Sequence, residues 1–402
     1  MQKNAKTQAR AVELPALTAL RGVAALGVVL FHIDVCLFYR EMGTLLPKTA
    51  SGLIANGYLW VDLFFILSGY VIHHAYGERL SPGCRWSSAA DFYRARFLRI
   101  YPLHLILTAL LVVAVLIAGA LWPALKDGSW VIFFAWSALP SNLLLTHALN
   151  QHSYLSWNIV SWSIGAEWWC YAAALIVIPL MARFRRRSGG ICIGLGAAVL
   201  AGLFFVLGRD TLDITYDFGV VRCLGGFLIG LGLYQVCRVG RPLQARAADG
   251  LTLAAVAGLV LIMHFDASDL LAIPLFAILV MSLSASGGRV HRLLAAPVPR
   301  YLGRISYSIY LVHGLVFLAF WYAAPALGWR FGTPAEAWLF AAAFLVLTIS
   351  GAAISYRFIE LPAQRLARTA PLAEDVNAGE ITVARACLKA APFRAKGEEP
   401  RL

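Results

Sequence analysis

The sequence predicts an all-α fold, a polytopic transmembrane helical bundle of about ten spanning helices with one further re-entrant or interfacial segment. Three observations predict it. Of the 402 residues, 60% are hydrophobic and only 14% charged, where a soluble globular domain carries about 25% charge. The apolar residues stand in long unbroken runs such as Leu105 to Leu121, which excludes both the alternating strands of an outer-membrane barrel and a disordered chain. Basic residues gather between particular runs, so the net charge of +13 reads as cytoplasmic-loop bias and not as a nucleic-acid surface.

The first run, Gly22 to Tyr39, lacks a small-residue cleavage pattern and is a span, not a signal peptide. Leu53 to Ala75 and Ile100 to Trp122 follow, each long enough for the hydrocarbon core. Trp130 to Leu149 begins apolar, but Pro140, Ser141, Asn142 and His147 interrupt its second half. Ile159 to Ala182, Ile191 to Leu207 and Phe218 to Val236 are spans, and Leu251 to Phe265 and Leu270 to Leu283 are short ones. Ile305 to Ala324 and Trp338 to Ser355 complete the set.

Counting arginines decides the topology. If Trp130 to Leu149 does not cross, only Arg40, Lys48, Lys126, Arg209 and Arg330 face outward, Arg222 lies within a span, and the other 28 of the 34 basic residues face inward. If it crosses, Arg183 to Arg187 and every basic loop after them face outward. The positive-inside rule selects ten crossings with both termini cytoplasmic. A non-crossing segment at membrane depth must be buried in protein or line a cavity. Residues 1–365 then form one membrane domain, and 366–402 a poorly ordered cytoplasmic tail. The seven cysteines are odd in number and lack metal-ligand spacing, so they read as packing residues, and no metal is expected.

Ionisable groups inside spans are costly and mark functional candidates. Arg21 and His32 are eleven residues apart, which on a helix is about 16 Å of rise and about 20° out of line. One face thus offers a cation at the cytoplasmic surface and, near the midplane, an imidazole able to take a hydroxyl proton. The structural alternative is a lipid anchor and a packing histidine. Glu167 is the one glutamate well inside an apolar run; His32 is its expected partner, with a bond to neighbouring serines or tryptophans as the alternative. Arg96 and Arg99 share a helical face and, with Arg94, suit bidentate phosphate binding or contact with anionic lipid. Asp62 and Ser68 are candidate substrate contacts, or a solvated carboxylate and a close-packing site. Arg222 needs an anion or carbonyl partner, with Asp217 or a substrate group as the candidates. His104, His264 and His313 read as interfacial or packing residues.

In this order the motifs resemble the acyltransferase type 3 family of integral membrane acyltransferases. The matching elements are Arg21 to His32 within Leu20-Arg-Gly-Val-Ala-Ala, then Val61-Asp-Leu-Phe-Phe-Ile-Leu-Ser-Gly-Tyr, and Arg96 and Arg99 before Ile100-Tyr-Pro. Ser161-Trp-Ser-Ile-Gly-Ala-Glu, Arg222 ahead of Gly226-Phe-Leu-Ile-Gly, Leu302-Gly-Arg-Ile-Ser-Tyr-Ser-Ile-Tyr-Leu-Val-His and Ile359-Glu-Leu-Pro continue it. The resemblance covers Leu17 to Arg365 and implies a stand-alone enzyme that moves an acyl group, usually acetyl from acetyl-CoA, onto a hydroxyl of a carbohydrate. Its acceptors would be lipid-linked or cell-surface glycans such as O-antigen or exopolysaccharide, in the cell inner membrane, with polysaccharide assembly proteins as candidate partners. Arg21, Arg96 and Arg99 would hold the CoA phosphates, His32 would be the base oriented by Glu167, and Asp62, Ser68 and Arg222 would contact substrate. A proton-coupled transporter or flippase of a glycolipid-like substrate is the alternative that uses the same His and Glu.

Overall fold

A backbone inside hydrocarbon must satisfy its own N–H and C=O groups, and the computed structural model of the chain meets that demand with helices. It describes residues 13–80, 86–184, 187–240, 242–285 and 287–369, and among them there is no strand. The helices in order are α1 (Pro15–Tyr39), α2 (Trp60–Tyr76), α3 (Trp86–Leu121), α4 (Gly128–Phe133), α5 (Leu139–Leu143), α6 (Trp162–Phe184), α7 (Ser188–Phe205) and α8 (Gly219–Val239). Then come α9 (Ala245–His264), α10 (Ala272–Ser284), α11 (Arg289–Leu294), α12 (Pro297–Arg304), α13 (Ser306–Ala326), α14 (Pro334–Ser355) and α15 (Leu361–Thr369). Among the described residues, nine helices are long and apolar enough to cross a membrane, and the apolar helix Asp269–Ser284 is shorter.

Two boundaries differ from the sequence reading for physical reasons. Helix α3 starts at Trp86, well before the apolar run, so its first turns carry Arg94, Arg96 and Arg99 on a rigid rod. Helix α9 reaches 20 residues because Asp249 points at the N-terminus of α11, where it accepts from the Arg289 and Val290 N–H groups at 2.7 and 3.0 Å. This polar residue lies before the expected span Leu251 to Phe265 and caps a neighbouring helix.

The stretch Trp130 to Leu149 is a string of turns. Helices α4 and α5 and the 3₁₀ turn Trp136–Ala138 between them are each too short to cross. Left-handed backbone at Leu145, and further on at Asn150 and Trp157, breaks any longer helix. Protein covers the segment, since Ala138, Ser141, Asn142, Leu145, His147 and Ala148 are buried.

The centre of the bundle is the α2/α8 pair. A Cβ at Gly69 would lie 2.0 Å from the Phe227 carbonyl, and one at Gly230 2.0 Å from that of Ile66. Only glycine lets these backbones meet. At the other end of the chain, α14 runs into α15 through a single π-helical stretch, Tyr356–Glu360. Helix α15 continues past the domain limit expected at 365, and residues 370–402, most of the expected tail, lie outside the described residues.

Candidate active site

Four helices converge on Arg21. It comes from α1, Arg96 and Arg99 from consecutive turns of α3, Glu167 and Tyr171 from consecutive turns of α6, and Ser68 and Tyr76 from α2. Arg21 feels the charges of Arg99, Glu167 and Arg96. Arg96 donates to the Tyr76 hydroxyl at 3.2 Å, and its guanidinium lies 5.3 Å from that ring and 6.0 Å from the Tyr171 ring. The Nε atoms of Arg21 and Arg96 are buried without a hydrogen-bond partner. The ion pairs found among the described residues include none of the three arginines. Arg94, by contrast, is exposed.

Two carboxylates adjoin this cluster. Glu167 accepts from Ser68 and from the Tyr171 hydroxyl, the latter at 2.7 Å. Glu360, fully buried, accepts from Ser308 at 2.7 Å and Gln364 at 2.9 Å, and its charge is felt with those of Arg99 and Arg21. Three guanidiniums face two carboxylates, so the cluster keeps a positive excess, as a phosphate-binding mouth requires.

Glu167 is not the partner of His32. It sits at the depth of Arg21, about 16 Å along α1 from the imidazole. Ser68 therefore belongs to the arginine end, through Glu167. Asp62 and Arg222 form a separate unit whose side chains are both 0% exposed. Arg222 donates to both Asp62 oxygens at 2.9 and 2.8 Å, to the Ile214 carbonyl at 3.1 Å and to the Tyr58 carbonyl at 3.0 Å. Four bonds and no exposed surface make this pair a tie between α2 and α8 instead of a substrate contact. Asp217, the other partner considered for Arg222, pairs with Arg209.

His32 lies further along α1. Its Nδ1 is 3.0 Å from the Val28 carbonyl, so Nδ1 carries the hydrogen and Nε2 holds the lone pair. Its ring stands 4.9 Å from His313 and 5.9 Å from Phe317 of α13, and 5.0 Å from Phe31. Sequence reasoning did not single out Tyr76, Tyr171 or Glu360, and it read His313 as an interfacial or packing residue. Glu360 was visible in Ile359-Glu-Leu-Pro and His313 at the end of Leu302-Gly-Arg-Ile-Ser-Tyr-Ser-Ile-Tyr-Leu-Val-His, while Tyr76 and Tyr171 carried no local signal.

A cavity of about 710 Å³ opens between α3 and α13 beside α4, lined by apolar and aromatic groups such as Leu111, Trp122, Trp130, Leu318 and Tyr322. None of the predicted site residues lines it. No group of metal-ligating side chains occurs among the described residues. The five cysteines Cys36, Cys170, Cys192, Cys223 and Cys237 are free thiols, the first four of them buried.

The profile of a family described as an acyltransferase domain matches residues 14–357. Acyltransferase MdmB of Streptomyces mycarofaciens is 28% identical over 395 residues, covering 89% of this chain and 93% of that one. Exopolysaccharide production protein ExoZ of Rhizobium meliloti (strain 1021) is 29% identical over 320 residues, covering 77% and 90%. Protein 2 in the picA locus of Rhizobium radiobacter is 41% identical over 95 residues, 24% of this chain and 42% of its own. No solved structure matches.

Proposed function

The chain belongs to this acyltransferase family, and on that premise we propose that it moves an acyl group, acetyl from cytoplasmic acetyl-CoA, onto a hydroxyl of a lipid-linked or cell-surface polysaccharide. One observation carries the reading. Arg21, Arg96 and Arg99 form a cationic mouth that its carboxylates do not neutralise, and His32 stands on the same helix, about 16 Å further in. The phosphates and nucleotide of CoA occupy the mouth, and the pantetheine arm runs along α1 to bring the thioester to His32. The similarity to an exopolysaccharide production protein supports a carbohydrate acceptor. Both termini lie in the cytoplasm of a cell whose inner membrane holds the bundle.

At the thioester, His32 Nε2 takes the proton of the acceptor hydroxyl as its oxygen attacks the carbonyl carbon. The carbon–sulfur bond then breaks, and the thiolate recovers that proton. Glu167, held by Ser68 and Tyr171, keeps the arginines apart and oriented while the site is empty, and Asp62 with Arg222 holds the scaffold.

The deciding experiment supplies purified protein in liposomes with labelled acetyl-CoA and lipid-linked glycans. Transfer of label that His32→Ala abolishes, with the variant still inserted, supports the reading. Acceptor movement without acylation replaces it with transport, and full activity in His32→Ala removes His32 from the mechanism.

A further inference from the structure

The transfer chemistry makes no use of the cavity between α3 and α13, which holds about 710 Å³. Its floor is formed by the buried side chains of Leu111, Phe134 and Leu318, while Leu110 and Leu327 at its edges are exposed on the apolar surface of the bundle. An apolar space of this kind stays dry and is filled by hydrocarbon. Lipid tails are as apolar as leucine, so the cavity by itself gives no preference among lipids. Selection has to come from polar groups at its rim.

The rim lies at the end of α1 away from Arg21. Trp130 and Tyr322 line the cavity, and both connect to Asp127. The Trp130 N–H donates to its carboxylate at 3.1 Å, and Ser129 links that carboxylate to the Tyr322 hydroxyl, 3.1 Å from the Ser129 oxygen. Asp127 also binds Arg40 at 3.2 Å, whose guanidinium lies 4.2 Å from the Trp321 ring and whose Nε is buried without a partner. Lys126, next to the lining residue Leu125, folds against α3, where a Cβ at Gly119 would stand 3.0 Å from its Cε and 3.5 Å from its Nζ. Lys126 joins none of the ion pairs among the described residues. Glu41, the charge that follows Arg40 in the chain, is paired with Arg330 at 3.2 Å. Two cations therefore share one carboxylate at the rim, and the positive excess complements a phosphate.

We propose that the cavity seats the hydrocarbon tail of a glycan carried on a lipid phosphate, with the phosphate at Lys126 and Arg40. The proposal rests on the acyl-transfer reading and decides between its two acceptors in favour of the lipid-linked one. Helix α13 relates this seat to the base. His313 and Phe317 stand against His32, with ring centroids 4.9 and 5.9 Å away, and Leu315, Leu318 and Tyr322 line the cavity, so a single helix separates the tail from the imidazole. The lining runs from Leu315 to Leu327, about 18 Å of helix rise that starts next to His313. Arg40 at the rim is about 12 Å beyond His32 on α1. A phosphate held there places its glycan over the end of α1, from which a hydroxyl approaches His32 on the side opposite the CoA arm. An ordinary phospholipid fills the same cavity but brings no glycan to that place, so the occupant that suits a seat beside His32 is the glycan carrier.

The test uses the full chain in phosphatidylcholine nanodiscs with a polyprenyl phosphate that carries a photoreactive diazirine in its tail. Irradiation should label peptides from 110–122 of α3 and 315–327 of α13, and unlabelled polyprenyl phosphate should compete the label away. Phosphate-free polyprenol and phosphatidylglycerol should each compete about tenfold less well, as expected where one charged contact is missing or misplaced. Ala319→Trp, which fills the cavity from an exposed position, should remove the label; if that variant does not insert, Ala114→Trp is read in its place. Lys126→Gln should weaken competition by polyprenyl phosphate about tenfold and leave that by polyprenol unchanged. Equal competition by phosphatidylglycerol makes this a general lipid groove and overturns the proposal, as does label at other helices or undiminished label in the tryptophan variant. In transfer assays, Ala319→Trp should raise KM for a lipid-linked glycan about tenfold or more with KM for acetyl-CoA unchanged, and a tail-free glycan accepted by the wild type as readily as the lipid-linked one also overturns the proposal. Photolabelling needs no acetyl-CoA, so failure of the seat is distinguishable from failure of acyl transfer.

Discussion

Arg222 and Arg96 are both arginines inside the protein, and the difference between them is what their donors touch. Arg222 has spent its fork on Asp62 and two carbonyls, so Arg222→Ala leaves Asp62 as an uncompensated buried charge. Breaking such a pair is destabilising by about 3–5 kcal/mol, and thermal melting of the purified protein should register it whatever the substrate. Arg96 touches a phenol and two aromatic faces. For Arg96→Ala the expected result is a KM for acetyl-CoA raised roughly 10- to 100-fold, the loss of one charged hydrogen bond, with the melting temperature little changed. An unaltered KM would detach Arg96 from the donor site. Sequence identified Arg222 because charge inside an apolar run is rare, and Arg96 because it shares a helical face with Arg99. It did not separate their roles, since Asp62 is 160 positions from Arg222 and no local rule joins them. Glu167 misled for the same reason, because choosing between His32 and Ser68 required the depth of α6 relative to α1.

Between elements, the contacts are set by small residues and caps. At Gly69 even a methyl group would meet backbone, not a movable side chain, so Gly69→Ala must push α2 from α8 and strain the Asp62–Arg222 tie nearby. Overpacking of this kind is destabilising by about 1–3 kcal/mol, and a Tm fall should exceed that of Gly250→Ala, where a Cβ meets nothing within 4 Å. At the end of α1, Asp127 caps α4 and binds Arg40 at 3.2 Å. Partial burial pushes its carboxyl up, but Ser129, Arg40 and the Trp130 N–H outweigh that and hold it below the ordinary value. A carboxyl depressed in the folded state adds stability above its unfolded pKa, near 3.9, and loses it as pH falls through the folded value. The protection factors of the 128–134 amides, taken against the intrinsic rate at each pH, should therefore hold at neutral pH and fall below about pH 4. The spans themselves were legible because hydropathy needs no tertiary information. The α3 extension and the length of α9 were not, because polar first turns read as loops until a neighbour explains them.

For the molecule as a whole, the separation of a cationic end from His32 presupposes that the arginine end faces the cytoplasm. Between Val298 on α12 and Ala335 at the start of α14 the chain makes one crossing, α13, and both side chains are exposed. In a cysteine-free background, Ala335→Cys should react with an impermeant maleimide in intact cells, and Val298→Cys only after permeabilisation. The reverse pattern would invert the bundle and take the proposed acyl-CoA mouth away from its donor. The arginine count carried this expectation, and the broken segment from 130 to 149 agrees with it because none of its pieces is long enough to cross.

The π-helical stretch Tyr356–Glu360 sets a rule about length. A π turn holds one residue more than the α-helix around it, and here that surplus decides which way Glu360 looks. Winding the same residues as regular α-helix would swing everything beyond them by about 100°, taking Glu360 away from Ser308 and from Arg99. A substitution in this stretch changes one side chain at a time, whereas loss of the π turn changes the address of all that follow. The winding of this turn, more than the identity of any one residue in it, fixes where Glu360 looks.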